Sequence, residues 1–216
     1  MLNTSLDIKN HALLRLNQNT ISSDADSSPQ GQFLSLVYDQ ARCSLLSQYN
    51  WNFALKNAEL QIYVGGLQAP TAEQLKQLSD KRRVATGFRN EFILPADFLR
   101  LVSLRNALGA PIVANPGGGP AFALEGRHLF SNESGLYLKY ISDISNVSEF
   151  SPLFCDCLVI DLAIRMTKMF NDSTSYLQHL NQEFMLQMQK AKESDSRQTM
   201  LSGMQSYPLL GSRGGF

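Results

Sequence analysis

Five groups of residues are of a type that could do chemistry. Cys155-Asp156-Cys157 offers two thiols, the soft ligands of zinc. On a helix, residues two apart point about 200° from one another, so both thiols cannot easily reach one ion. No second Cys or His pair stands at zinc spacing, and buried free thiols are the expectation. Asn115-Pro116-Gly117-Gly118-Gly119-Pro120 resembles a phosphate cradle in composition alone. It lacks the Gly-Lys-Ser/Thr that completes such a loop, and a strand follows it where a helix N-terminus is needed. His11, His128 and His179 are far apart in sequence, with no Gly-x-Ser-x-Gly or His-Glu-x-x-His beside them. Asp97, Glu125 and Asp143 could pair as a hydrolase's two carboxylates, although turns and caps are the commoner use of acids in such places. Lys81-Arg82-Arg83 is the one dense basic run, readable as a helix end that complements the macrodipole or as a surface facing an anion. No catalytic, cofactor or metal residues are assigned, and no enzyme is expected.

The bulk properties agree. Lys plus Arg and Asp plus Glu each number 19 in 216 residues, for zero net charge. A dedicated nucleic-acid binder would carry a surplus of cations to neutralise phosphates. Zero net charge also removes a long-range repulsion between copies. Residues 71–110 carry seven cations against four acids and residues 111–150 two against four, an asymmetry through which copies could meet plus to minus. No run approaches the roughly 20 apolar residues of a membrane span, so no membrane partner is expected. The first residues, Met1 to Asp7, lack the pattern of a signal peptide, and three sparse cysteines suit a reducing compartment.

The elements that would position these groups fall into three stretches. Ile8, Ala12, Leu13 and Leu16 mark a short helix, and Leu34, Tyr38, Ala41, Leu45 and Tyr49 a longer one that runs into Trp51-Asn52-Phe53-Ala54. From residue 59 the pattern becomes strand-like, starting with Leu60 to Val64. A surface helix, Thr71 to Arg83, interrupts it. Short strands then follow at Phe88–Leu94, Leu101–Leu104, Ala121–Leu124, Arg127–Phe130 and Leu136–Ile141, with a Gly/Pro loop over 109–120. Ser151-Pro152 opens a helix apolar nearly all round, and Asn171-Asp172-Ser173 caps a last helix whose period fails from Ser194. The predicted fold is therefore α+β. Residues 1–58 and 150–195 form a helical bundle, 59–149 an inserted antiparallel β lobe, and 196–216 an extended C-terminal arm. The arm's Tyr207, Pro208, Leu209, Leu210 and Phe216 are candidates for docking on a partner.

Several motifs in order resemble the tail tubular protein A family, the head-to-tail adaptors of short-tailed bacteriophages. They are Trp51-Asn52-Phe53-Ala54, the run Phe92-Ile93-Leu94-Pro95-Ala96-Asp97-Phe98-Leu99-Arg100, Tyr140-Ile141 before Asp143, and the helix start Phe150-Ser151-Pro152-Leu153-Phe154. Ala191-Lys192 followed by Asp195 completes the set. The resemblance spans residues 6–195, and segments 65–87 and 109–120 depart from it. It implies a structural virion protein at the head–tail junction, assembled in the bacterial host cytoplasm. About twelve copies would close a ring by heterologous contacts. The implied partners are other copies, the portal protein, a tail nozzle of the tail tubular protein B type and tail fibres. Packaged DNA would pass through the ring without sequence recognition. Two alternatives stay open: a tail-associated cell-wall hydrolase using the unassigned acids and histidines, and a DNA-binding head-completion factor.

Overall fold

A computed structural model describes residues 4–64, 70–113, 119–170 and 174–204. The fold is mixed α+β, and the chain divides into a discontinuous helical unit, residues 1–54 with 144–216, and a β-rich unit, residues 55–143. Both predicted boundaries, 58/59 and 149/150, move toward the N-terminus, so the β-unit gains residues 55–58 and the helical unit gains 144–149. Residues 55–58 pair within a sheet. Residues 144–149 bury Ile144 and Val147, and the Ile144 carbonyl accepts a 2.5 Å hydrogen bond from Arg42.

In the helical unit, α1 (Ser5–Arg15) starts with a capping box between Thr4 and Asp7. α2 (Pro29–Ser47) starts with Ser28 as N-cap and Pro29 in the first turn. Gly31 allows its close approach to the preceding loop, because a Cβ there would stand 2.5 Å from the Asp26 carbonyl oxygen. The polar loop between α1 and α2 is fastened by the 2.6 Å Lys9–Asp24 pair and by Asn10, whose side chain bonds both backbone groups of Ile21. α4 (Pro152–Phe170) is the central helix, with Phe154, Leu158, Leu162, Ala163 and Met166 wholly buried against α1, α2 and α5 (Thr174–Met204).

α5 extends past the predicted end at residue 195, so the C-terminal arm cannot begin at 196. The apolar period fails there because α5 is held by polar contacts instead. The Ser196 and Tyr49 hydroxyls lie 2.6 Å apart, and the buried Asp195 carboxylate accepts the Asn52 backbone N–H at 3.1 and 3.2 Å. Burial pushes the Asp195 carboxyl up from its ordinary value, against the lowering effect of that N–H.

The β-unit holds two three-stranded antiparallel sheets, β1–β6–β3 and β2–β5–β4. The strands are β1 (Leu55–Leu60), β2 (Asn90–Ile93), β3 (Phe98–Asn106), β4 (Phe122–Glu125), β5 (His128–Ser131) and β6 (Leu136–Ser142). Leu60, Phe92, Leu104, Leu129, Leu136, Leu138 and Tyr140 share one core. In β6 the alternation is clean over its first five residues, with Leu136, Leu138 and Tyr140 inward and Tyr137 and Lys139 outward. The strand predicted at 60–64 lies instead at 55–60. Its residues Lys56, Asn57 and Glu59 are exposed, so hydropathy understates it, and what fixes it is pairing with β6. Beyond it, among the described residues, Ile62 makes an isolated bridge to Phe92. The predicted Gly/Pro loop is partly paired: Asn106 N–H donates to Ala110 and Ile112 N–H to Leu104, both at 2.9 Å. α3 (Ala72–Thr86), capped by Thr71 and ended by Gly87 at φ +80°, buries none of its residues.

Candidate functional site

The residues that carry the sequence motifs gather into two knots. In the helical unit, the 3₁₀ turn Asn52–Ala54 places Phe53 beside Phe154 at 5.1 Å between ring centroids, with Phe150 5.0 Å from Phe154. Trp51 packs edge-on to Phe154 at 5.2 Å, and its indole N–H donates to the Leu45 carbonyl at 3.1 Å. A buried Trp needs such a partner.

In the β-unit, the Leu94-Pro95-Ala96-Asp97 turn joins β2 of one sheet to β3 of the other. The Asp97 carboxylate accepts from Tyr140 Oη at 2.9 Å and Lys56 Nζ at 2.8 Å, and its carbonyl accepts the Asp143 N–H at 2.7 Å. The Pro95 carbonyl accepts from Arg127, and Arg100 stands opposite Ile141 in β3. Burial alone would raise the Asp97 carboxyl, but the bonds from Lys56 and Tyr140 outweigh it and hold it below 3.8. A carboxyl lowered in the folded state stabilises fully above its unfolded value and loses that contribution as pH falls through the folded value. The stability gap between the native chain and Asp97→Asn is therefore expected above pH 3.8 and shrinks below it. Chemical denaturation across that range checks this; a gap that does not change with pH would contradict it.

The remaining candidates separate. His11 and His179 are exposed on α1 and α5, and Glu125 is exposed at the end of β4. Cys155 and Cys157 are buried in α4, where burial pushes their thiols up to about 11 and about 12. The thiolate is the reactive form. Native protein is therefore expected to titrate only Cys43, which is half-buried, with a disulfide reagent at about pH 8, and all three thiols in denaturant. Rapid reaction of three thiols in the native state would contradict this. Among the described residues no three His, Cys, Asp or Glu side chains gather as metal ligands. Of the Gly/Pro loop, residues 114–118 lie outside the described residues.

The basic run is not a single surface. Lys81 and Arg83 are exposed, but Arg82 turns inward, its side chain only 10% accessible. Its Nε lies 2.8 Å from Glu91 Oε2, its guanidinium lies over the Tyr63 ring at 5.7 Å, and it donates to the Tyr63 carbonyl. Glu91 Oε1 is also 2.8 Å from His128 Nδ1, although this approach is not aligned as a hydrogen bond. The sequence reading missed this group, because nothing in the local pattern of Tyr63, Arg82, Glu91 or His128 ties them together. It is a clamp that holds the otherwise exposed α3 to β2.

A groove of about 740 Å³ lies in the helical unit, between α5 and the end of α2, bordered by Tyr49, Phe184, Met185, Leu186, Met188 and Lys192. Met185 is 70% exposed and Leu186 61%. Paired exposed apolar side chains beside a groove are what a partner surface offers, and methionine adapts its shape to one. The proposed arm residues Tyr207, Pro208, Leu209, Leu210 and Phe216 lie outside the described residues.

No protein-family model matches this chain, and no curated protein matches it in sequence.

Proposed function

We propose that the chain is a non-catalytic head-to-tail adaptor of the tail tubular protein A type, a ring between portal and nozzle around the DNA channel. The observation that carries this reading is how the motifs behind the resemblance are used. Trp51, Phe53, Phe150 and Phe154 build one core, and Pro95, Asp97 and Tyr140 build the turn between the two sheets. These contacts support the architecture that the resemblance implies, and the adaptor role follows from it by analogy.

Ring closure needs each copy to bury a patch on its neighbour. The α5 groove with Met185 and Leu186 is that patch, and its occupant is a second copy of this chain. Zero net charge leaves no long-range repulsion to oppose the contact. The candidate docking residues Tyr207, Pro208, Leu209, Leu210 and Phe216 remain part of this proposal.

The test is negative-stain imaging of the protein alone and mixed with the portal protein, beside a Met185→Asp, Leu186→Asp double variant. The native chain is expected to give rings, at the latest on the portal, and the variant to stay monomeric with unchanged circular dichroism. Absence of rings in both settings, or rings unaffected by the variant, would overturn the reading of this surface.

A further inference from the structure

We propose that the outward face of the β1–β6–β3 sheet binds a phosphate group. This does not depend on the adaptor reading.

The register builds the site. β6 is the central strand, and Lys139 stands between Asn57 on β1 and Ser103 on β3. Two residues along the same face, Tyr137 stands between Glu59 and Arg105. Asn57, Ser103, Arg105, Tyr137 and Lys139 line a hollow of about 280 Å³.

Its charge is unbalanced. Neither Arg105 nor Lys139 makes an ion pair among the described residues, and no carboxylate lines the hollow. Like charges on diagonal cross-strand positions repel each other, and an anion between them would relieve that repulsion. Glu59 is the one acid in these two rows. It stands on the other side of Tyr137 from Arg105 and outside the hollow.

Arg105 is also held in place. Its Nη1 donates to the Gly109 carbonyl at 2.8 Å, in a turn where Gly109 takes φ +79°. Asn106 Oδ1 fixes the same turn by accepting from Leu108 N–H at 3.1 Å and Ala110 N–H at 3.0 Å. The guanidinium keeps further N–H groups for a ligand.

The donor set selects the ligand. A guanidinium, an ammonium, an amide and two hydroxyls supply more donors than the two oxygens of a carboxylate can use. A phosphate offers more oxygens and suits an arginine fork. The hollow exceeds a single oxyanion, which leaves room for the group that carries it. The Tyr137 ring, 43% exposed, offers a flat surface to a nucleotide base.

Isothermal titration of the full chain tests this with sodium phosphate and with a short oligothymidylate, against sodium chloride at matched ionic strength. Amide NMR shifts locate the binding. Saturable binding centred on Asn57, Ser103, Arg105, Tyr137 and Lys139 is expected. Arg105→Met and Lys139→Met should each weaken it by about tenfold, or about 1.4 kcal/mol. Glu59→Gln should tighten it by removing a competing charge. Binding of phosphate alone assigns a free phosphate ligand, and binding of the oligonucleotide with the same variant effects assigns a polynucleotide backbone. Shifts scattered over all exposed cations, no saturable binding of either probe, or variants without effect would overturn the proposal.

Discussion

Trp51→Ala is expected to destabilise the helical unit by about 4 kcal/mol, the cost of removing a large buried aromatic from a packed core. Trp51 is fully buried against Phe154, with Tyr49 at 5.2 Å and Phe53 at 6.1 Å on its other sides. Truncation leaves a cavity among these rings and removes the donor to the Leu45 carbonyl. Trp51→Phe separates the two effects. It keeps an aromatic ring and loses the N–H; the Leu45 carbonyl retains the Gln48 N–H at 3.2 Å, so the lost bond should cost about 1 kcal/mol, plus a smaller packing loss. Urea unfolding followed by far-UV circular dichroism measures both variants. Equal costs for Ala and Phe would mean that the hydrogen bond, and not the aromatic packing, holds this junction.

Glu91→Ala should cost the β-unit about 3 kcal/mol, because it strands the Arg82 guanidinium, partly buried, without its carboxylate. Arg82 and Glu91 side chains are 10% and 14% exposed, so solvent screens this pair weakly. The damage should concentrate in α3, which buries none of its own residues and depends on the clamp. Hydrogen exchange is the direct measurement: amides of 72–86 should lose protection while those of β6 keep most of theirs. Trp51 is the chain's single tryptophan and lies in the other unit, so its emission should report an unchanged helical unit. Unaltered α3 protection would show that the helix is held by something other than Arg82 and Glu91.

These two predictions differ in how far the sequence foretold them. The aromatic knot was legible, since Trp51, Phe53, Phe150 and Phe154 are large apolar residues at element ends, where burial is the natural expectation. The clamp was not. Arg82 sits in a run that complements a helix C-terminus, and its inward turn depends on where β2 and Tyr63 pass. The α5 extension was illegible for a related reason: a hydroxyl and a carboxylate hold residues 195 and 196, and hydropathy has no signal for polar burial. The phosphate hollow likewise exists only through register, which sets Arg105 and Lys139 on one face of adjacent strands.

By itself the sequence determined the class of fold, most of the elements and the two segments that form the helical unit. Period and turn chemistry are local, and both sheets and helices report them within a few residues. Tertiary structure alone decided that β1 begins at Leu55, that Asp97 serves as a bracket for Lys56 and Tyr140, and that Glu91 joins Arg82 to His128. Each of these rests on contacts, backbone or side-chain, between residues that are not neighbours in sequence. Its stabilisation depends on distance and burial, and those follow from how the strands pair.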